Sequence, residues 1–379
     1  MKISENFGLG KYMTFEFSKE KPIHNWFWYK EGYAPEMVEW CLNHSGIKNG
    51  TVLDPFCGVG TTLLTCKNAG IESIGVDASS LAAFISKTKT DDYEKQDLEN
   101  ALEFLHKKLP PQSRWEWEFE LFSPRAAFPK RNYNEIVGLR ELIEQEDARV
   151  RNILLLALLS ILPQASIVMK DGGVLKIDKN KRALPAREIF KRKVKRIVRE
   201  LETFKTGHIP AAFIGDARAL DIGGETIDCV VTSPPYLNNI DYSKIYGLEL
   251  SLVNQSKAEA QAVRMRAVRS FIGKSMTPQS LPPEVGEIGN TIPIIGTYFH
   301  DMEGAISEMY RVLRGGGEAH VIVSNSVIHQ THVIVDEIFG QIAERIGFSE
   351  VEIVVGAERI ADVKPQKVKT RESVVIMKK

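Results

Sequence analysis

The chain has 379 residues, 43% of them hydrophobic, and its 49 basic side chains are balanced by 49 acidic ones. This length offers enough chain for two domains. The longest apolar stretch, residues 153–162, is far shorter than the roughly 20 residues that span a bilayer, and the first residues lack the apolar core of a secretory signal. We therefore expect a soluble, cytoplasmic protein.

The cysteines and the charge balance narrow the class further. No C-x-x-C pair is present, which argues against zinc and structural disulfides and predicts core thiols and no metal. A net charge of zero still allows a nucleic-acid enzyme, because local charge density and not the sum binds phosphate. The cysteines are Cys41, Cys57, Cys66 and Cys229.

The first chemical motif lies at residues 51–62, where TVLDPFCGVGTT predicts a strand, a glycine turn and the start of a helix. An α/β sheet binds nucleotides at such a turn. Gly58 and Gly60 would let the backbone pass close to a ligand, and Thr61 and Thr62 can cap the helix. Leu63 occupies the third glycine position of the dinucleotide fingerprint G-x-G-x-x-G, so a ligand without a pyrophosphate is favoured.

Two further apolar strands end in a carboxylate. Residues 74–77 end at Asp77, where α/β folds bind ribose hydroxyls, and residues 213–216 end at Asp216, where an acceptor could take the exocyclic amine of an adenine. The alternative for both is structural: Asp77 could cap the helix that starts at Ala78, and Asp216 could serve a cap or a turn.

Residues 91–206 separate these two strands and have a mostly helical pattern, which predicts an inserted domain. Aromatic residues alternate with charged ones at residues 114–122, so one short strand or an extended arm is expected there, with the aromatics in the core. Residues 176–199 predict a helix with an apolar side and a basic side. The basic side would cover DNA phosphates, unless it is a plain solvated surface; its cations include Lys181, Arg182, Arg192 and Arg196.

A third apolar strand, residues 228–231, leads into Thr232-Ser233-Pro234-Pro235-Tyr236. Each proline fixes its φ at about −65° and lacks an amide hydrogen, so the carbonyls of this loop point in set directions. A hydroxyl and a carbonyl could then accept hydrogen bonds from one amino group, while Tyr236 offers a face for stacking. An ordinary Pro-Pro turn after a buried strand is the simpler interpretation.

The rest of the chain adds a second basic stretch and completes the sheet. Arg264, Arg266 and Arg269 lead into irregular, proline-rich chain up to residue 295. This loop would overhang the pocket, where arginines can read guanine edges or hold phosphates; a mobile surface loop is the alternative. Helices are expected at residues 298–313 and 333–346, and strands at residues 318–324, 351–355 and 373–377.

On these motifs the chain resembles the class I S-adenosylmethionine-dependent methyltransferases, and within them the DNA amino-methyltransferases of cytosine N4 and adenine N6. The resemblance implies an α/β fold with a Rossmann-like sheet, helices on both faces and an inserted, mainly helical domain. It implies S-adenosyl-L-methionine as cofactor and double-stranded DNA as substrate. The family's cofactor residues match Tyr29, Asp54, Phe56, Gly58, Gly60, Thr61, Thr62, Asp77, Asp216 and Ala217, and its catalytic tetrapeptide matches Ser233, Pro234, Pro235 and Tyr236.

The same resemblance implies a division of the chain. Residues 22–90, 207–253 and 296–379 would form a discontinuous catalytic domain. Residues 91–206 would form a target-recognition domain, and residues 254–295 a DNA-contacting loop.

Ser233 stands where many relatives have Asp or Asn, and within the family serine is more frequent among cytosine-N4 enzymes. We therefore expect methylation of the N4 amine of a flipped cytosine, in a restriction–modification system whose endonuclease shares the target. Adenine N6 is the second choice, and guanine N2 of structured RNA or a non-catalytic binding subunit are weaker ones. Ring-carbon methylation would need a cysteine nucleophile, and neither Cys57 nor Cys229 is placed for it.

Overall fold

A computed structural model describes residues 1–171, 173–204, 207–238, 240–253, 257–271, 280–363 and 366–379. Its strands are β1 (Lys2–Glu5), β2 (Thr51–Asp54), β3 (Glu72–Asp77), β4 (Val168–Asp171), β5 (Val174–Ile177), β6 (Ala211–Ile214), β7 (Ile227–Thr232), β8 (Leu313–Ser324), β9 (Ser326–Ile328), β10 (Thr331–Val333), β11 (Glu350–Val363) and β12 (Gln366–Lys378). Its helices are α1 (Pro35–His44), α2 (Thr61–Ala69), α3 (Ser80–Thr90), α4 (Lys95–Glu103), α5 (Pro124–Ala127), α6 (Lys130–Ile143), α7 (Ala148–Ala165), α8 (Ala186–Leu201), α9 (Tyr242–Ile245), α10 (Gly247–Val253), α11 (Lys257–Arg266), α12 (Glu287–Thr291), α13 (Pro293–Val312) and α14 (Val335–Ile346).

The central sheet has the strand order β1-β11-β12-β8-β7-β2-β3-β6. β6, β3, β2, β7 and β8 run parallel to one another. β12 runs antiparallel to β8, and β11 runs antiparallel to β12. β1, which the sequence patterns did not predict, adds to the edge beside β11. The sheet confirms the predicted α/β, Rossmann-like architecture.

The strand order places the two predicted loops side by side. β2 has β3 on one side and β7 on the other. Successive strands are thus added on one side of β2 as far as β6 and then on the other side from β7, so the strand order reverses between β2 and β7. Ligands of open α/β sheets bind outside the carboxyl ends of the strands at such a switch point. The glycine turn after Asp54 and the loop after Thr232 both leave the sheet there.

Helices cover both faces of the sheet because alternate strand residues point to opposite sides. Val230 of β7 shares a buried core with Ile306 of α13 and Phe339 of α14. Its neighbour Val231 shares the opposite core with Met37 of α1.

The inserted segment contains α4 to α8 and the antiparallel hairpin of β4 and β5. Leu156 of the central helix α7 belongs to the same apolar core as Trp26 and Leu81 on the sheet side. Among the helices of the described residues, α7 alone is long and apolar enough to cross a membrane by length and composition, and 61% of it is buried inside the protein. Core packing therefore accounts for its apolar composition.

The predicted basic helix begins later than expected. Pro185 occupies the N-cap of α8, and because a proline is tolerated only in the first turn of a helix, the charges before it belong to other structure. Lys181 and Arg182 lie in the turn between β5 and α8, whereas Arg192 and Arg196 lie on the helix.

Other predicted boundaries also change. Residues 257–266 of the predicted loop form α11, and its end contains α12 and the start of α13; residues 254–256 and 272–279 of that loop lie outside the described residues. The aromatic stretch at residues 114–122 runs as an extended arm without a strand, and Trp117 in it is buried. β11 and β12 extend well beyond the apolar runs that predicted them.

Candidate active site

A cavity of about 350 Å³ opens at the carboxyl edge of the sheet, a volume within the range of small-molecule sites. Both predicted loops contribute to it, together with the aromatic segment before α1 and the roots of the outer strands. The predicted site residues that line it are Tyr29, Phe56, Gly58, Thr61, Asp77, Ala217, Ser233, Pro234, Pro235, Tyr236, Arg264 and Arg266.

Asp77 ends β3 in the wall of this cavity. Its Oδ2 accepts the amide hydrogen of Gly58 at 2.9 Å, and its Oδ1 accepts that of Ser79 at 2.8 Å. Burial raises the pKa of Asp77 to about 6, although the two amide hydrogen bonds oppose the shift. Ser79, and not Asp77, caps α3. Asp77 therefore fixes the glycine turn and remains part of the cavity wall.

Asp54 lies behind the cavity lining and is only 1% exposed. It accepts hydrogen bonds from the Thr232 hydroxyl at 2.6 Å, the Tyr33 hydroxyl at 3.0 Å and the Phe56 amide at 3.1 Å. Thr62 is fully buried, with its hydroxyl 2.5 Å from that of Tyr33. Asp54 and Thr62 thus hold the strand ends together, instead of facing a ligand as the sequence predicted.

The glycine turn differs from its prediction in one more detail. Gly60 occupies the N-cap of α2 with φ of 81°, and the helix begins at Thr61, so neither threonine caps it. A Cβ on Gly60 would lie 2.9 Å from Oγ of Ser86. Glycine is required at this position because both the positive φ and the close approach exclude a side chain.

Asp216 is engaged with an arginine. Its Oδ1 accepts the amide and Nε hydrogens of Arg218, both at 2.9 Å, and its Oδ2 accepts from Nη2 at 2.7 Å. Arg218 also pairs with Asp301 at 2.9 Å. These contacts fit the structural role that was the alternative to adenine binding for Asp216. Its neighbour Ala217 is the residue that lines the cavity.

The catalytic-loop candidate is held from two sides. The hydroxyl of Tyr298, a buried residue of α13, donates to the carbonyl of Pro235 at 3.0 Å. The hydroxyl of Tyr236 donates to Oε1 of Glu372 at 2.9 Å. Burial raises the pKa of Tyr236, and also that of Glu372, so the tyrosine keeps its proton. Sequence reasoning missed Glu372, because a single acid before the last apolar run carries no local pattern.

An aromatic wall from distant parts of the chain borders the cavity. The rings of Tyr29 and Tyr246 stack with centroids 4.8 Å apart. Nζ of Lys170, from the inserted hairpin, lies 3.6 Å from the centroid of the Tyr246 ring, close enough for a cation–π contact. The Tyr246 hydroxyl donates to Glu31 at 2.6 Å. Tyr29 is thus fixed in orientation by groups that the sequence could not associate with it.

The predicted DNA-binding cations have varied surroundings. Arg264 lines the cavity, where it pairs with Glu120 and with Asp241. Arg266 also lines it and donates to the carbonyl of Ala78 at 3.2 Å. Arg269 forms two hydrogen bonds with Asp301, at 2.7 and 2.9 Å. Arg264 and Arg266 thus belong to the cavity wall, whereas Arg269 is held to α13 through Asp301.

The cations of the insertion also differ from one another. Nζ of Lys181 donates to the carbonyls of Pro163 and Val168, each at 2.6 Å, so it supports the turn after β5. Arg182 and Arg192 are exposed. Arg196 is exposed too and pairs with Glu200 at 2.8 Å.

One cluster in the described residues has metal-ligand chemistry. Glu318 Oε2 lies 3.2 Å from Nε2 of His320 and 3.5 Å from Nδ1 of His44. This cluster of His44, Glu318 and His320 connects the end of α1 to β8 and lies outside the cavity lining. Ser45 also contacts His320, at 2.7 Å.

Sequence comparisons agree with this arrangement. The profile of an N6/N4 methyltransferase family, described as DNA methylase, matches residues 14–88, the segment that holds the glycine turn and Asp77. M.BsoBI, a Type II methyltransferase of Geobacillus stearothermophilus, is 26% identical over 97% of this chain and 88% of its own. M.AvaI, a Type II methyltransferase of Nostoc sp. strain PCC 7120, is 25% identical over 91% of this chain and 83% of its own. The chain is thus similar to the N6/N4 DNA methylases and to Type II methyltransferases.

The cofactor is S-adenosyl-L-methionine, and the donor set of the cavity fits it. The carboxylate of Asp77 offers acceptors to ribose hydroxyls, as in other α/β nucleotide sites. Phe56, Tyr29 and Leu81 supply aromatic and apolar walls to the same space. The glycine turn lets the backbone approach a ligand without side-chain obstruction.

Solved methyltransferase structures are also similar to this chain. The structure of a putative DNA modification methylase from Thermus thermophilus in complex with S-adenosyl-L-methionine has a TM-score of 0.25 and 15% identity, over 44% of this chain and 54% of that one. A methyltransferase from Methanosarcina mazei has a TM-score of 0.33 and 10% identity, over 89% and 96% of the two chains. The fold class is supported by the strand order of the central sheet.

Proposed function

We propose that this protein is a site-specific DNA methyltransferase that modifies the N4 amine of a cytosine flipped out of the duplex. One observation carries the proposal: Ser233 and Asp77 line the same cavity, so a loop suited to orient an amine and a carboxylate suited to a ribose meet in one space. In the family that the sequence resembles, serine at the first position of the tetrapeptide is more frequent among cytosine-N4 enzymes, which favours cytosine over adenine as the target. The Type II relatives M.BsoBI and M.AvaI support a restriction–modification setting, with a cognate endonuclease.

The reaction requires the cytosine amine to be oriented towards the methyl group, because this amine is a poor nucleophile whose lone pair is delocalised into the ring. When bound, S-adenosyl-L-methionine supplies a methyl group activated by its sulfonium sulfur. The Ser233 hydroxyl and the Pro234 carbonyl would accept the two amine hydrogens and draw the nitrogen towards tetrahedral geometry. The nitrogen becomes acidic only once it has bonded to carbon, so its proton can leave to water without a strong base.

The contacts of the loop support this role. Tyr298 holds the Pro235 carbonyl, and Glu372 holds the Tyr236 hydroxyl, so the tetrapeptide keeps one geometry and Tyr236 can offer its ring to a base. A base within a duplex cannot reach such a cavity, which requires flipping. Cys57 also lines the cavity, but burial raises the pKa of its thiol well above the ordinary value. It therefore stays protonated, which disfavours ring-carbon methylation.

The proposal is tested by incubating the protein with labelled S-adenosyl-L-methionine and either duplex DNA or transfer RNA, followed by mass spectrometry of the nucleosides. N4-methylcytosine in DNA is the expected product. N6-methyladenine would assign the second candidate function, which the same cavity accommodates. Label in RNA alone, or in neither nucleic acid, would overturn the proposal.

The orienting role of Ser233 is tested separately. Ser233→Ala should bind cofactor normally, while turnover falls by about 10²- to 10³-fold, as for the loss of other oriented hydrogen-bonding groups. Ser160→Ala is a matched control, since its hydroxyl bonds only to the α7 backbone at 2.8 Å. Full turnover of Ser233→Ala would show that the loop orients the base in another way.

The exposed cations of α8 are proposed to contact DNA phosphates. Replacing Arg192 and Arg196 with glutamate should weaken DNA binding and flatten its dependence on salt, because each lost phosphate contact lowers the slope by about 0.9. An unchanged slope would make this face of α8 a solvated surface without a role in binding.

A further inference from the structure

The outer strands β11 and β12 continue past the sheet as a free-standing ribbon. Residues 357–363 of β11 pair with residues 366–372 of β12. The pairing of β12 with β8 stops at Glu372 and Ser324, and that of β1 with β11 stops at Val355. Within the described residues, this ribbon of residues 357–363 and 366–372 therefore has no neighbouring strand on either side. At roughly 3.3 Å per residue it is about 20 Å long.

The ribbon leaves the sheet at the edge that carries the cavity. Ser324, where its last neighbour ends, is the carboxyl end of β8, and β8 is parallel to β7 and β2. At its root, Arg359 and Glu372 line the cavity. Arg371 binds Asp336 at 2.6 Å and Glu337 at 2.6 Å, so the root is fastened to α14. The ribbon thus projects beside the cavity mouth from a fixed base.

The ribbon exposes a large apolar side chain to water together with several cations. Ile360 is 72% exposed, and the side chains of Arg359 and Lys369 are 69% and 74% exposed. Lys367 is exposed as well. An isolated two-stranded hairpin is at best marginally stable in water. Because Ile360 is exposed, its apolar side chain contributes little burial free energy to the ribbon. Arg359 pairs with Glu372 at 3.4 Å and Lys369 with Glu358 at 2.9 Å. A partner that buries Ile360 and offers further acceptors to these exposed cations would stabilise the ribbon.

We propose that the ribbon enters the major groove of the substrate DNA beside the flipped base, which rests on the proposed DNA methyltransferase function. A major groove about 12 Å wide admits a two-stranded β-ribbon. Lys367 and Lys369 then contact phosphates, and Ile360 contacts the apolar edges of bases, such as thymine methyl groups. The position at the cavity mouth favours DNA as the occupant, because a base in the cavity must remain joined to its duplex.

Two variants separate the charge from the apolar contact. Lys367→Ala with Lys369→Ala should raise the Kd for DNA about tenfold and lower its salt slope by about 2, since each phosphate contact contributes roughly 0.9. Ile360→Ser should raise the Kd and leave the slope unchanged. Cofactor affinity should not change in either. Lys48→Ala with Lys87→Ala removes the same charge from exposed residues outside the cavity lining and should match the unaltered protein.

The groove is identified by interference mapping. Methylation of guanine N7, in the major groove, should block binding near the target cytosine in the unaltered protein and no longer do so in the ribbon variants. Interference only from minor-groove modification, or an unchanged affinity and slope in both variants, would overturn the proposal. Because these variants are assayed on DNA that the unaltered protein methylates, such a failure is distinct from a failure of the DNA methyltransferase function itself.

Discussion

Thr232 donates its hydroxyl to Oδ1 of Asp54 at 2.6 Å, so the last residues of two neighbouring parallel strands are joined directly behind the cavity. The glycine turn follows Asp54, and the Ser-Pro-Pro-Tyr loop follows Thr232. This hydrogen bond adds to the backbone pairing of β2 with β7 and helps to set the spacing between the two halves of the site.

Thr232→Val, which removes this hydroxyl at nearly constant volume, should lower the free energy of unfolding by about 1–3 kcal/mol, the range for leaving a buried group short of a partner. It should also weaken cofactor binding, because the glycine turn loses its fixed position. Urea denaturation and calorimetric titration check both effects. Thr65→Val is the control, since its buried hydroxyl bonds within α2; an equal loss of cofactor affinity there would contradict the prediction.

Cofactor affinity should depend on pH through Asp77, whose pKa is raised to about 6 by burial. The ionised carboxylate is the better acceptor for ribose hydroxyls, so affinity should be full above pH 6 and fall as the pH drops below it. Asp77→Asn should bind weakly at every pH. Calorimetric titration between pH 5 and 8 tests this, and a flat profile in the unaltered protein would exclude the ribose role.

The stability of the unliganded protein should change with pH in the opposite sense. A carboxyl whose folded pKa is raised above the unfolded value of about 3.9 stabilises the fold most below that unfolded value. Its contribution is lost as the pH rises through about 6. Asp77→Asn should remove this component of the pH dependence of unfolding.

Glu372 is expected to act through Tyr236, from whose hydroxyl it accepts a hydrogen bond. Glu372→Ala should lower kcat about tenfold and leave the KM for cofactor unchanged, because the ring loses its anchor while the cofactor wall stays intact. Glu372→Gln retains an acceptor and should preserve most activity. In a double-mutant cycle, Tyr236→Phe should add little to Glu372→Ala; additive losses would show that the two residues act independently.

Lys89 is buried, with Nζ 3.1 Å from the carbonyl of His24, and burial lowers its pKa to about 7, with Lys193 adding to the shift. Between that value and about 10.4 the unfolded chain binds more protons than the folded one, so stability should rise with pH across this window. Lys89→Met should be more stable than the unaltered protein at pH 6 and lose that rise. Lys87→Met, at an exposed position of the same helix, should change neither.

The sequence predicts best those features whose signal is local. The glycine turn, Asp77 and the Ser-Pro-Pro-Tyr loop each follow an apolar strand in the chain, and all reach one cavity. The sequence left two roles open for Asp216, an adenine ligand and a structural carboxylate, because Asp301, the second partner of its arginine, is distant in sequence. The ribbon escaped prediction for a different reason: it buries neither face against a core, so only the apolar runs inside the sheet showed the periodicity of a strand.

The inserted segment is joined to the rest of the molecule through its interior. Oε2 of Glu200 on α8 accepts hydrogen bonds from the Trp26 indole at 2.7 Å and the Ile23 amide at 2.8 Å, beneath the shared apolar core. Exchanging this segment with that of a relative would replace one side of a buried interface. It would also remove Glu200 from its hydrogen-bond partners Trp26 and Ile23, so the segment is not an interchangeable unit. Substitutions on its solvent-facing side should therefore preserve the fold better than chimaeras of the whole segment.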